Sequence, residues 1–107
     1  PERVDSCVYE EGMITSDEPG IYIEGSHGIR TENLIVCRKG EKNEYGQFMY
    51  FETLTCAPID LDAIDPDLLN ADEKHMLNDY HRFVYDTLSP LMDAEEREWL
   101  AKYTRAI

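Results

Sequence analysis

The chain has 107 residues, of which 42% are hydrophobic and 31% charged, so it has the composition of one small globular domain and not of a disordered segment. Its formal net charge of -13 argues against nucleic acid as a partner, because phosphate binding depends on lysine and arginine. Cys7, Cys37 and Cys56 form no C-x-x-C pair, and no apolar run reaches membrane-spanning length. We therefore expect a cytoplasmic protein with reduced thiols and no membrane contact.

The first third of the chain predicts short strands separated by turns. Alternating residues from Met13 to Glu18 predict a strand that presents Glu18 at a turn formed by Pro19 and Gly20. A second short β-favouring segment follows at residues 21–23, and glycine at position 25 predicts a turn after it. We expect His27 to lie in the loop that follows this segment.

Two longer strands are predicted next. Residues 29–38 are apolar on both faces over half their length, which indicates a strand inside a sheet. Residues 39–46 are polar and bracketed by glycines, as is typical of a hairpin loop. Residues 47–56 then alternate as a strand, and we expect it to pair antiparallel with 29–38.

The second half of the chain predicts helices after an acidic connector at residues 60–69. Asn70 followed by Glu73 is a helix-start signature, and the helix should end at Ser89, before Pro90. Its apolar stripe at helical spacing consists of Met76, Leu77, Tyr80, Phe83, Val84 and Leu88.

A second helix is predicted to begin at Asp93, because Glu96 repeats the start signature. Its buried face should be formed by Trp99, Leu100 and Tyr103. The order of elements predicts an α+β fold, with antiparallel strands over about residues 13–57 followed by C-terminal helices over about residues 70–105.

The residues with the clearest chemical potential are Glu18, Arg30 and Glu32. A turn after Glu18 and glycines at positions 25 and 28 would let the chain return, so that the two carboxylates could meet beside the guanidinium. Converging carboxylates repel unless a cation lies between them, and oxygen ligands of this type suit Mg, Ca or Mn. A divalent metal site is the hypothesis, and surface carboxylates balanced by Arg30 are the plainer alternative.

Six motifs are spread along the chain: E-P-G at 18–20, G-I-R-T-E-N at 28–33, F-E-T-L-T at 51–55, N-D-Y-H at 78–81, L-S-P-L at 88–91 and E-W-L at 98–100. Together they resemble the Xaa-Pro aminopeptidases, a branch of the pita-bread metallopeptidases. The resemblance implies the C-terminal part of a pita-bread fold. Because 107 residues are too few for the whole catalytic domain, and the chain opens with Pro1 instead of Met, we expect a fragment.

The resemblance also implies roles for the two glutamates. Glu18 matches a metal ligand that is also a candidate general base, and Glu32 matches a glutamate that bridges two metals. The position of Arg30 beside Glu32 indicates that it orients these carboxylates and takes part in catalysis. The implied cofactors are two divalent metal ions, with Mn expected, and the implied substrate is a peptide with proline at its second position.

The family completes its metal site with two aspartates and a histidine from upstream segments, which are not part of these 107 residues. We therefore expect this chain alone to bind Mn weakly and to be inactive without the missing N-terminal part of the protein. The alternative is a non-catalytic folding or dimerisation module of the same fold. In either case, uncovered apolar surface should favour homo-oligomers.

Other polar residues have weaker claims to a functional role. Glu52 matches the family, but a structural partnership with Arg30 is the simpler interpretation. His27 could contact substrate or be solvated. His75 and His81 lie about 240° apart around the predicted helix, so they cannot bind one metal and are expected to be structural.

Overall fold

Five strands form the regular structure of the first of two compact units, Pro1–Thr55 and Cys56–Ile107, in a computed structural model that describes residues 7–107. The strands are β1 (Ile14–Asp17), β2 (Gly20–Ile23), β3 (His27–Arg30), β4 (Asn33–Asn43) and β5 (Gly46–Thr53).

β4 is the central strand of a three-stranded antiparallel sheet with the order β1-β4-β5. Ile14 of β1 lies opposite Val36, and Cys37 lies opposite Phe51 of β5. Val36 and Cys37 point to opposite faces of β4, yet both are buried. The prediction of an internal strand that pairs antiparallel with the following one is confirmed.

β2 and β3 form a separate two-stranded hairpin, which corrects the prediction of one continuous strand over 29–38. The chain leaves β3 at Arg30 and begins β4 at Asn33, because β3 pairs with β2 whereas β4 pairs with β1 and β5. Gly25 has a φ of 71° in the turn of this hairpin, a backbone conformation that residues with a side chain rarely adopt. His27 lies at the start of β3 and not in a loop as predicted.

The hairpin between β4 and β5 has a shorter turn than the predicted loop over 39–46. Both strands extend into that segment, so that only Glu44 and Tyr45 remain between them. Asn43 accepts a hydrogen bond from the backbone N–H of Tyr45, and Gly46 has a φ of 129°. The polar composition therefore marks the exposed ends of the strands as well as the turn itself.

The second unit contains two helices, α1 (Ala71–Leu88) and α2 (Ala94–Tyr103). Both predicted starts are confirmed as complete capping boxes, with Asn70 and Glu73 at the start of α1 and Asp93 and Glu96 at the start of α2. Short 3-10 turns lie at Leu61–Ala63, Pro66–Leu68 and Ser89–Leu91. Within residues 7–107, no helix has the length and apolarity needed to cross a lipid bilayer.

The core of the helical unit is smaller than the predicted apolar stripes. Its buried side chains are Leu61, His81, Val84 and Leu100. The prediction that Trp99 is buried is wrong, since it is exposed, and Met76 and Phe83 of the α1 stripe are exposed as well. Helical spacing identifies residues that share a face, but it does not show how much of that face this unit covers.

His81 is a fully buried member of this core. Its Nε2 accepts a hydrogen bond from the backbone N–H of Ile59 at 3.0 Å, which ties the connector to α1. Burial lowers the pKa of His81, because the charged imidazolium would lose its hydration. His75 is exposed on the same helix and lies 3.1 Å from the Asp79 carboxylate. The two histidines of α1 therefore lie in different environments, one buried and one exposed.

Candidate metal centre

The three predicted site residues come together at the ends of strands in the first unit. Glu18 follows β1 directly, Arg30 is the last residue of β3, and Glu32 lies in the two-residue link to β4. Arg30 Nη1 lies 3.5 Å from Glu18 Oε2, and Arg30 Nε lies 3.3 Å from Glu32 Oε2. Two carboxylates that are 14 residues apart in sequence therefore converge on one guanidinium.

This cluster is open to water. The side chains of Arg30, Glu18 and Glu32 are 48%, 43% and 44% exposed, respectively. Ion pairs at such exposed positions contribute little to folding, because water screens them and ordering the long side chains costs entropy. The cluster therefore contributes little to the stability of the fold, and the arrangement leaves carboxylate oxygens accessible from solvent.

Further hydrogen bonds hold the cluster from both sides. Ser16, at the end of β1, donates a hydrogen bond from its hydroxyl to Glu18 Oε1. The Arg30 guanidinium hydrogen-bonds the side chain of Tyr22, and this contact, followed by the charges of Glu32 and Glu18, raises the pKa of Arg30 above its ordinary value. Arg30 is therefore a permanent cation with three side-chain partners.

Tyr22 is the residue of this cluster that the sequence interpretation missed. The sequence places Tyr22 only in a β-favouring segment, in which an aromatic residue ordinarily indicates packing. The signal was the hairpin register. A turn centred on Gly25 places Tyr22 and Arg30 on the same face of adjacent strands, because Gly20 pairs with Arg30 and Tyr22 pairs with Gly28.

The chemistry of the donors fits part of a metal site. Carboxylate oxygens are the ligands that Mg, Ca and Mn prefer, and both Glu18 and Glu32 carry them at the same place. Among residues 7–107, however, no group of three or more His, Cys, Asp or Glu side chains is close enough to hold a metal ion. Two carboxylates alone are too few to hold a metal ion in this part of the chain.

Glu52 does not join this cluster, which corrects the predicted partnership with Arg30. Its Oε2 accepts a hydrogen bond from Arg38 Nε at 2.7 Å, and this bond raises the pKa of Arg38. The reason lies in the sheet register, since Glu52 of β5 pairs with Val36 of the neighbouring β4, close to Arg38. Arg30, at the end of the separate hairpin, has its own partners.

His27 lies away from the cluster as well. It pairs with Ile23 and shares the face of Ile21 and Ile29, opposite the face that carries Arg30. Its Nδ1 lies 2.9 Å from the hydroxyl of Ser26. His27 lines an open, largely apolar concavity on this face together with Ile21, Ile23 and Ile29. The contact of His27 with substrate stays a prediction.

Comparison with known proteins identifies the family. A model of the C-terminal region of peptidase M24 matches residues 47–107. The chain is 40% identical over 108 residues to the protein named Probable Xaa-Pro aminopeptidase P of Coprinopsis cinerea, in a match that covers 96% of this chain and 17% of that protein. It is also 40% identical over 102 residues to aminopeptidase P1 of Lotus japonicus, covering 92% of this chain and 16% of that protein.

The fold is similar to the crystal structure of X-prolyl aminopeptidase from Caenorhabditis elegans, which is described as a cytosolic enzyme with a di-nuclear active site. The two structures are 28% identical with a TM-score of 0.75, and the match covers 92% of this chain and 17% of that one. This likeness confirms the predicted α+β fold as the C-terminal part of a pita-bread fold. The chain spans about 17% of the length of these relatives. It belongs to the family defined by the C-terminal region of peptidase M24.

Proposed function

We propose that this chain supplies the C-terminal part of the metal centre in a metal-dependent Xaa-Pro aminopeptidase. The observation that carries the proposal is the convergence of Glu18 and Glu32 on Arg30 from separate segments of the chain. The names of the relatives support the reaction, which is hydrolysis of the N-terminal peptide bond that precedes a penultimate proline.

In this proposal Glu18 and Glu32 hold two divalent metal ions, with Mn as the expected metal, together with ligands from the rest of the protein. When bound, the metals supply Lewis-acid polarisation of the scissile carbonyl and lower the pKa of water. The C. elegans relative, described as di-nuclear, supports the number of metals. The donor set supports their class, because carboxylate oxygens suit hard divalent cations.

The side chains of this chain have distinct tasks in that reaction. Glu18 accepts the proton of the attacking water and returns it to the leaving nitrogen, as a general base and then a general acid. Glu18 and Glu32 both pair with Arg30, whose guanidinium fixes their orientation. The net charge of -13 favours the approach of a substrate with a protonated N-terminus.

We also propose a cytoplasmic location for the complete protein. The C. elegans relative is described as cytosolic, and the three cysteines of this chain are free thiols.

The experiment is peptide cleavage by the full-length protein loaded with Mn. Two peptides that differ only in proline or alanine at the second position are compared, with the wild type and with Glu18→Gln. We expect selective cleavage of the proline peptide and a loss of at least about 100-fold in kcat for the variant, since general acid–base catalysis typically contributes 10²–10⁴-fold.

Glu52→Gln is the matched control, because Glu52 is also a carboxylate bonded to an arginine in the same unit but lies away from the cluster. It should leave cleavage near the wild-type rate. Equal cleavage of the two peptides, or equal losses for Glu18→Gln and Glu52→Gln, would contradict the proposal.

Exposed apolar side chains on the sheet favour the alternative function, a non-catalytic folding or dimerisation module. Both faces of the β1-β4-β5 sheet carry exposed apolar side chains, among them Ile14, Leu34, Tyr50 and Phe51. Such surface favours a covering partner, which could be other parts of the protein or a second copy. A protein that has this surface and shows no metal-dependent cleavage would support the alternative.

A further inference from the structure

We propose that a groove at the start of α2 is a docking site for a basic segment of a partner protein, with an arginine side chain of that segment against Trp99. The groove is lined by Met92, Asp93, Glu95, Glu96 and Trp99, and its volume is about 480 Å³. All five residues belong to the helical unit, and none belongs to the candidate metal centre. The inference therefore does not depend on the proposed function.

Helical spacing brings the aromatic and acidic side chains of the groove together. Glu95 and Glu96 lie four and three residues before Trp99, so the three side chains share one side of α2. The Trp99 side chain is 54% exposed although it is the largest in the chain. Met92, which precedes the N-cap residue Asp93, is half-buried. An indole and a thioether thus lie open to solvent next to carboxylates.

The carboxylates of the groove retain oxygens that a ligand can use. In the capping box of α2, Asp93 Oδ1 accepts the backbone N–H of Glu96, and Glu96 Oε2 accepts that of Asp93. Each side chain has a second oxygen beyond this pair of bonds. Among residues 7–107, no lysine, arginine or histidine forms an ion pair with Asp93, Glu95 or Glu96. Grouped carboxylates of this kind attract a cation.

The cations of α2 are engaged at other places. Arg97 Nε donates a hydrogen bond to the Ser89 carbonyl oxygen at 2.8 Å. Lys102 Nζ lies 5.4 Å from the centroid of the Tyr103 ring, which is a cation–π distance. The Trp99 ring lies next to that of Tyr103, with centroids 4.7 Å apart. The helix therefore already holds one cation over an aromatic ring, whereas the groove is supplied with none by α2.

The chemistry of the groove selects an arginine side chain. A guanidinium group is planar and stacks on an indole, and its N–H groups donate to carboxylates at the same time. Tryptophan and arginine are also the residues that most often carry the binding energy of protein interfaces. The formal net charge of -13 favours the approach of a basic segment and opposes an acidic one. Met92 and the exposed Leu91 suit aliphatic residues on either side of the arginine.

The test uses the full-length protein and an N-acetylated peptide in which arginine alternates with leucine. Acetylation keeps the peptide out of any site that requires a free N-terminus. Two analogues carry lysine or uncharged citrulline in place of arginine. Calorimetry measures the affinity of each peptide. Hydroxyl-radical footprinting read by mass spectrometry measures the exposure of Trp99 and Met92 with and without the peptide.

Two variants alter the groove, and two matched variants alter a site elsewhere. Glu95→Gln and Trp99→Leu remove a carboxylate and an aromatic ring from the groove. Glu44→Gln and Tyr45→Leu make the same kinds of change in the β4-β5 turn, where both side chains are exposed. All four positions are on the surface, so the melting temperatures should stay near the wild-type value.

Each groove variant should bind the arginine peptide about 3- to 10-fold more weakly, and each turn variant should bind it like the wild type. The citrulline peptide should bind at least about 10-fold more weakly than the arginine peptide, with lysine in between because an ammonium group cannot stack. Trp99 and Met92 should be reactive in the free protein and protected by the arginine peptide.

Three results would overturn the inference. Equal losses in the groove and turn variants, or no loss in either, would mean that the peptide is attracted only by the net charge. Equal affinity for the arginine and citrulline peptides would exclude recognition of a cation. Protection of Trp99 in the free protein would mean that the groove is already covered, by a second copy if the protection increases with protein concentration and by the rest of the same protein if it does not.

Discussion

Replacing His81 with leucine should destabilise the helical unit at neutral pH and remove part of its sensitivity to acid. His81 is fully buried, and its Nε2 accepts the backbone N–H of Ile59 at 3.0 Å. Leucine has similar bulk but no acceptor, so the Ile59 N–H loses its partner without a large cavity being created. The variant therefore isolates the polar contribution of this residue.

The size of the effect follows from the unpaired N–H. A buried donor left without an acceptor costs about 1–3 kcal/mol. Leucine also removes the buried polar Nδ1 of His81, whose burial carries its own desolvation cost. We therefore expect a loss at the lower end of that range, about 1 kcal/mol, in the free energy of unfolding at neutral pH.

The pH dependence has a definite sign. Burial, assisted by the charge of Arg105, lowers the pKa of His81 in the folded state, whereas the unfolded chain has the ordinary histidine pKa of about 6.5. Between the two pKa values the unfolded state therefore binds more protons. The stabilisation is complete above the unfolded pKa and is lost as the pH falls below it and through the lower folded pKa. The difference between wild type and His81→Leu should shrink on acidification.

Urea unfolding measures both effects. Trp99 is the only tryptophan and lies on α2, so its fluorescence reports on the same unit as His81. Unfolding at about pH 7.5 and about pH 5.5 brackets the ordinary histidine pKa. His75→Leu is the control, since His75 is exposed, and it should change stability little at neutral pH. Equal stability of His81→Leu and wild type at the higher pH, or a difference that grows at the lower pH, would refute the reasoning.

Three further predictions concern packing and association. Leu100→Ala should lower the free energy of unfolding by about 2–5 kcal/mol because Leu100 is fully buried, whereas Leu91→Ala at an exposed position should have little effect in the same urea experiment. Asn70→Ala removes one half of a capping box and should lower the free energy of unfolding by about 1 kcal/mol. Its helical circular dichroism signal should therefore disappear at a lower temperature than that of the wild type. The 107-residue chain should self-associate through its exposed apolar side chains, and a monodisperse monomer in sedimentation at high concentration would contradict this.

The features that could be predicted from the sequence depend on residues that are close together in the chain. The starts of both helices could be predicted because a capping box needs only a side chain and a backbone group three residues apart, as in Asn70 with Glu73. The central position of β4 could be predicted because its two faces are both apolar. The approach of Glu18 to Glu32 followed from the turn residues between them.

The features that could not be predicted depend on which strands pair with one another. Nothing in the composition of residues 29–38 shows that the chain changes from one hairpin to another sheet at Thr31, since both segments favour strands. The partner of Glu52 depends on the β4-β5 register, and the contact of Tyr22 with Arg30 depends on that of β2 and β3. Trp99 has the spacing of a buried residue, but burial also depends on what packs against it.

The most direct test of the proposed metal centre is Mn titration of the full-length protein by calorimetry, with wild type and Glu32→Gln compared. The proposal predicts two bound Mn ions in the wild type and the loss or strong weakening of at least one in the variant, because Glu32 would no longer offer two anionic oxygens to both metals. Unchanged stoichiometry and affinity in Glu32→Gln would contradict the assignment of this cluster as a metal centre.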